Sequence, residues 1–251
     1  MKVYLSTWSI HRLFFQKLLR ISQLPALAHS LGFDGVELED IWFPSANDRI
    51  AHTLKSEGRR AGMPILIAVS NDFTVAGEEF PAQVRHMRKF LRLASRIGSG
   101  IVRVLVGSSR SSINRMPQVV AAFREIVPMV DELGLRLAVE NHDRLSRDPE
   151  NLLGILERVG SRRLGICLDL GNLNPRTRYA SIEKLAPRAM VVHAKTYGFR
   201  PDGNERSIDY RRCIRILRKN GFRGPVVAEY NGPGDQIMGS LKTRLLVRRF
   251  L

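Results

Sequence analysis

Cysteine is scarce in this sequence. Cys167 and Cys213 are the whole complement in 251 residues, and each sits inside an apolar run. A disulfide framework is therefore excluded, and free buried thiols in a reducing compartment are expected. No apolar stretch reaches membrane-spanning length, and the opening segment MKVYLSTWSI lacks a long apolar core. These two absences predict a soluble, cytoplasmic protein with no membrane partner. Low-complexity tracts are missing as well, so an ordered chain is expected, and 44% hydrophobic content is enough to bury a sizeable core. Acidic residues are few beside basic ones, 24 against 40, for a net charge of +16. Such a surplus admits a nucleic-acid partner. The cations are spread along the chain rather than gathered in one arm or tail, so nucleic acid is not favoured, and a bias toward arginine on solvated helix faces accounts for the charge. An anionic small substrate is a third option that charge leaves open.

Short aliphatic or β-branched runs recur. They begin at Val3, Gly35, Ile65, Ile101, Leu135, Leu164, Ala189 and Pro225. Between most of them lie stretches with helical periodicity. LPALAHSLGF stops at Gly32, MPQVVAAFREIVPMVDELGL at Gly134, and SIDYRRCIRILRKNGF at Gly221. The unit repeats about every 30 residues, and eight such units in a chain of this length match a (β/α)8 TIM barrel. An open doubly wound sheet would carry a glycine-rich phosphate turn after its first strand; the segment STWSIHRL has no glycine. No linker interrupts the pattern, so residues 1–251 read as one domain.

The last four candidate strands share an oddity: each apolar run ends in ionisable side chains. In a barrel of this kind the site lies at the C-terminal strand ends. Side chains two apart on a strand share a face. Glu140 shares parity with Ala138, Asp169 with Cys167 and Gly165, His193 with Val191 and Ala189, and Glu229 with Val227. The opposite parity carries larger groups, among them Leu137, Val139, Ile166 and Leu168, which would pack under the helices. All four ionisable groups are thus expected in the barrel mouth. Three carboxylates converging without a counter-charge would repel. One divalent cation removes that conflict, and three acids with one imidazole suit Mn²⁺, Mg²⁺, Co²⁺ or Zn²⁺ with no thiolate.

These residues resemble the xylose-isomerase-like TIM barrels, a superfamily that holds sugar isomerases, ketose 3-epimerases, inosose-type enzymes and the endonuclease-IV-type abasic-site DNA-repair nucleases. The motifs are LGFDGVEL from Leu31, VEN from Val139, CLDLGN from Cys167, VVHAK from Val191 and VVAEYNG from Val226. The resemblance spans nearly the whole chain. It implies that Glu140, Asp169, His193 and Glu229 hold one divalent metal, Mn²⁺ first among the candidates. It also implies that Glu140 and Glu229 act as an acid/base pair on a small sugar, keto-acid or cyclitol through an enediolate. Epimerase, isomerase and dehydratase outcomes all stay open, as does a homodimer.

Two departures from the family pattern bear on the rivals. Asn172 stands where members often carry a histidine, and Asp202 is followed two residues later by Asn204 rather than by histidine. With six histidines in all, the three-metal cluster of the nucleases is unsupported. A barrel that binds a sugar without turnover is the remaining alternative. Trp8, His142, Asn172, Lys195 and Arg200 are the expected substrate contacts: Trp8 as an apolar wall, His142 and Asn172 as hydrogen-bonding groups, Lys195 and Arg200 toward a substrate oxygen or phosphate. Arg206 shares the seventh loop with Arg200. Trp42 offers a second aromatic wall, and Glu37 is expected to brace His11 or a pocket arginine.

Overall fold

The computed structural model describes residues 1–109 and 111–251. Eight parallel strands close into a barrel in chain order, β1 pairing with both β2 and β8. The strands are β1 (Val3–Ser6), β2 (Gly35–Glu39), β3 (Ile65–Val69), β4 (Ile101–Val104), β5 (Arg136–Glu140), β6 (Leu164–Asp169), β7 (Ala189–Thr196) and β8 (Val226–Tyr230). Each starts within one residue of an apolar run read from the sequence. The outer ring, among the described residues, holds α1 (His11–Phe15), α2 (Leu24–Ser30), α3 (Asp48–Arg60), α4 (Glu79–Ile97), α5 (Met116–Glu132), α6 (Pro149–Val159), α7 (Arg178–Leu185), α8 (Tyr210–Lys219) and α9 (Gln236–Phe250). None of these helices is long and apolar enough to cross a membrane.

The alternation of small inward and large outward side chains explains the closure. Ala138, Cys167, Val191 and Val227 form, with Leu66, a small buried cluster inside the barrel. Leu137, Val139, Ile166, Leu168 and Val192 belong instead to the large core between strands and helices. Branched and aliphatic strand residues buried on both faces are what a parallel sheet covered by helices demands. Gly32, Gly134 and Gly221 follow α2, α5 and α8 with left-handed φ of 73°, 66° and 74°, the conformation that ends a helix with little steric penalty only for glycine. Both cysteines are free and buried.

The β6–β7 pairing shifts register between Ile166 and Cys167. Beyond the shift, Asp169 lies opposite His193, and on the next pair Lys195 lies opposite Glu229. Register thus delivers four ionisable groups to one level of the barrel.

Candidate active site

His193 is the centre of the cluster. Its Nδ1 lies 3.0 Å from Glu229 Oε2, 3.8 Å from Glu140 Oε2 and 4.0 Å from Asp169 Oδ2. Its other nitrogen, Nε2, is 2.9 Å from Glu37 Oε2 on β2, across the barrel. A carboxylate there holds a proton on Nε2 and orients the ring so that Nδ1 faces the three acids. The four strand-end groups thus face one another in the mouth, but strict alternation fails at the start of β7, where the register shift turns Met190 toward the inner cluster and Ala189, expected on the face of His193, toward the outer core. Glu37 braces His193, which corrects the expectation of a His11 or arginine partner. His11 Nδ1 instead lies 2.7 Å from the Trp8 carbonyl, because α1 turns it away from the lumen.

Each acid is aimed by a different device. Asp169 Oδ1 accepts from the Gly171 and Asn172 amides at 2.7 and 3.0 Å, which turns Oδ2 inward. Asn141 clamps the Asp169 peptide from both sides, donating to its carbonyl at 2.9 Å and accepting from its amide at 2.7 Å. Glu140 Oε2 stands 3.3 Å from Arg103 Nε, and Glu140 Oε1 accepts from Asn172 at 3.3 Å. Lys195 Nζ lies 2.9 Å from Asp169 Oδ2, from Glu229 Oε1 and from Asn172 Oδ1. A Cβ at position 171 would come within 2.9 Å of the Lys195 stem, so glycine there lets the lysine lie flat across the site.

The electrostatics explain why the cluster needs a cation. Glu37, Glu39, Glu140, Asp169 and Glu229 are all buried, against the buried cations Arg103 and Lys195. Five acids face two bases, so the acids outnumber the fixed cations and press one another and His193 to hold protons. Burial pushes Asp169 up; Lys195 opposes that push, and the neighbouring Glu229 and Glu140 charges add to it. Burial would raise Glu140 too, but His193, Arg103 and His142 outweigh it and hold that carboxyl below its ordinary value. Burial is likewise overcome at Glu229 by Lys195 and His193, which keep it ionised. Burial favours neutral His193, yet the Cys167 sulfur and the Glu37 and Glu140 carboxylates draw its pKa well above the usual value.

Two buried atoms, His193 Nδ1 and Asp169 Oδ2, have no hydrogen-bond partner among the described residues. Lys195 is near enough to Asp169 Oδ2 for attraction, but no directed bond is made. Ligand atoms of Asp169, His193 and Glu229 all lie within 4.8 Å of one another, as do those of Glu140, Cys167 and His193. Oxygen donors with one imidazole nitrogen fit a divalent ion of the Mn²⁺, Mg²⁺ or Zn²⁺ kind. Burial pushes the Cys167 thiol up to about 12, so the set presents no thiolate at neutral pH.

Above the cluster opens a cavity of about 380 Å³. Trp8, His142, Asn172 and Lys195 all line it, as expected of them. Arg200 does not. The loop after β7 folds back through an antiparallel bridge between Phe199 and Glu205, and this carries Arg200 to the outer shoulder of the barrel. Trp42 packs 5.1 Å from the Phe14 ring, outside the cavity, and donates to Glu39 Oε2 at 3.3 Å. Asp202 and Asn204 bond to each other on the same outer loop.

Sequence reasoning missed Arg103. Its guanidinium bridges Glu39 at 2.9 Å and Glu140 at 3.3 Å, and it is 3% exposed. The available signal was a lone cation inside the apolar run IVRVLVG at an inward parity. Tyr197 and Asn231 were missed as well; Asn231 accepts from Trp8 Nε1 at 3.3 Å and so pins the tryptophan wall.

The barrel and its mouth define a class before any relative is considered: eight-stranded barrels with an acid–imidazole cluster at the C-terminal strand ends. The chain belongs to the xylose isomerase-like TIM barrel family, whose model matches residues 25–245. It is similar to a 3-oxo-isoapionate decarboxylase of Pectobacterium atrosepticum, 23% identical over 131 residues, which is 51% of this chain and 46% of that protein. The chain thus spans less than half the length of that curated relative. Among solved structures, a D-tagatose 3-epimerase-like protein superposes with a TM-score of 0.83 at 20% identity, covering 100% of this chain and 97% of the other. A xylose isomerase-like TIM barrel protein from Mycobacterium smegmatis, solved in complex with magnesium, gives 0.73 at 19% identity over 91% and 87% of the two chains.

Proposed function

We propose that the protein is a divalent-metal-dependent epimerase or isomerase of a small sugar, keto-acid or cyclitol. One observation carries this reading: two fully buried ligand atoms that make no hydrogen bond among the described residues, His193 Nδ1 and Asp169 Oδ2, lie 4.0 Å apart among acids in excess. Glu140, Asp169, His193 and Glu229 would hold the ion, with Mn²⁺ the first choice. When bound, it would polarise a substrate carbonyl and the adjacent hydroxyl, which acidifies the α-proton.

The chain's own groups do the rest. Glu140 and Glu229 are both kept ionised by their neighbours, so each can accept a proton. One removes the α-proton to give an enediolate, and the other returns a proton to the opposite face or to the neighbouring carbon. Arg103 and Asn172 fix the Glu140 carboxylate, and Lys195 fixes Glu229. Trp8 and the Ile41 and Leu105 side chains wall the cavity and exclude water. His142, Asn172 and Lys195 are placed to hydrogen-bond substrate oxygens. The likeness to a decarboxylase supports the broader class of reactions that run through the same electron-rich intermediate.

The test is solvent exchange. Wild-type protein loaded with Mn²⁺ is incubated with a ketose and cyclitol panel in D₂O, and deuterium incorporation is followed by NMR. Incorporation into one substrate supports the proposal. Its absence across the panel, or failure to bind a divalent ion, overturns it.

A further inference from the structure

A second constellation lies on the outer shoulder of the barrel, away from the mouth. Arg200, Arg206 and Arg249 stand together there, all exposed. None of the three forms an ion pair with a carboxylate among the described residues. They are held by peptide carbonyls instead. Arg200 donates to the Arg206 carbonyl at 3.0 Å, Arg206 to the Phe199 carbonyl at 3.3 Å, and Arg249 to the Asp202 carbonyl at 3.3 Å. Such bonds fix the guanidinium groups without neutralising them. Gly203, at φ 79°, lets Arg249 approach: a Cβ there would come within 2.9 Å of its guanidinium.

The acids nearby keep their charge but are each held by amides of the chain rather than by an arginine. Glu205 is buried and accepts from the Ser207 and Ile208 amides. Asp209 accepts from the Arg212 amide at 3.0 Å and caps α8. Asp202 accepts from the Asn204 amide and side chain at 2.9 and 2.8 Å. Helices α8 and α9 themselves contain no acid at all. Around the two cavities, the cations Arg200, Arg206, Arg211, Lys242 and Arg249 outnumber the acids Asp202, Glu205 and Asp209, Asp202 being drawn toward Arg200 and Arg249 without pairing closely with either, and the local surplus of positive charge favours an added anion.

The space around them matches more than one anionic group. Arg200, Arg206 and Arg249 separate a cavity of about 520 Å³, to which Arg211 also belongs, from a second of about 450 Å³ that includes Lys242. Both are larger than the cavity at the barrel mouth. We propose that this arginine-lined track is a binding site for a ligand carrying two or more phosphate groups. It stands apart from the reaction at the mouth and holds whether or not that reading does.

Tripolyphosphate and a fluorescent oligothymidylate of about 20 nucleotides serve as probes of the full chain. Both titrations are made after chelation, so that no divalent ion can hold the phosphates. Wild-type protein is expected to bind tripolyphosphate saturably. The double variant Arg206→Gln/Arg249→Gln should weaken it by roughly 10- to 100-fold, the usual loss when charge-assisted bonds to an anion are removed. Arg215→Gln on α8 removes one charge outside the track and should leave affinity within about twofold, as expected of a distant surface charge. Oligonucleotide binding with the same dependence on the track, displaced by tripolyphosphate, identifies a nucleic-acid backbone as the source. Tripolyphosphate binding alone identifies a free phosphorylated molecule. Absence of saturable binding by both probes, or equal weakening by Arg215→Gln, overturns the assignment.

Discussion

Glu37 tests the site most sharply, because it touches no substrate and yet sets the chemistry of His193. Its Oε2 lies 2.9 Å from His193 Nε2, and the two side chains are 0% and 1% exposed. The variant Glu37→Gln keeps size and one accepting oxygen but loses the charge. Outer-shell partners of a ligating histidine typically contribute 10- to 100-fold in metal affinity, which is about 1.4 to 2.7 kcal/mol. The complete burial of this pair, with no water to screen the lost charge, places the effect in the upper half of that range. Calorimetric titration with Mn²⁺ should therefore show a dissociation constant raised about 30- to 100-fold, on the same outer-shell scale. Without metal the variant should melt no lower than wild type, since it removes one of five crowded acids. An affinity unchanged within about twofold would refute the claim that Glu37 sets the tautomer, for it would fall below the outer-shell range.

Four further outcomes follow from the same geometry. Glu229→Gln should reduce deuterium exchange into substrate by about 10²- to 10⁴-fold, the usual worth of a positioned acid or base, as read by NMR in D₂O. Saturating Mn²⁺ at about a hundred times its dissociation constant should add about 2.7 kcal/mol of stability, or roughly 5 to 10 °C in Tm, and chelation should remove the gain in a melting experiment. Glu39 is pushed up to about 7 by burial, which outweighs the opposing Arg103 charge. An acid whose folded pKa is raised contributes stability that is full below its unfolded value near 4.5 and is lost as pH rises through about 7. Unfolding free energies from urea titration should thus fall between pH 5 and pH 8 by up to about 3 kcal/mol, and Glu39→Gln should flatten that slope. Gly239→Ala would set a methyl 2.2 Å from the Tyr230 ring, so it should destabilise by about 1 to 3 kcal/mol in chemical denaturation.

The strands and the four converging groups were legible because strand parity is a local property. Whether Asp169 faces inward depends only on Cys167 and Gly165 beside it, whereas its pairing with His193 depends on the register shift between Ile166 and Cys167, which no local pattern announces. The partners were not legible. Glu37 and His193 are 156 positions apart and meet across the lumen, which depends on how the sheet curves rather than on any neighbouring residue. Arg103 reaches β2 and β5 at once for the same reason. Arg200 illustrates a different failure: the chain after β7 doubles back through a bridge whose register no periodicity announces, so position along the loop did not tell which way the side chain turned. Asn141 stood in full view in VEN, yet its role is to grip the Asp169 peptide of the next strand.

One small hydroxyl ties these arrangements together. Ser9, just past β1, donates to the Ala228 carbonyl and accepts from the Tyr230 amide, both at 2.8 Å. It thereby grips the peptide on each side of Glu229 from a point 220 positions earlier in the chain. The end of the first strand thus orients a residue on the eighth. The seam where the barrel closes, β1 against β8, is accordingly also where Glu229 is aimed, so any opening of that seam would release the base even with every other strand in place.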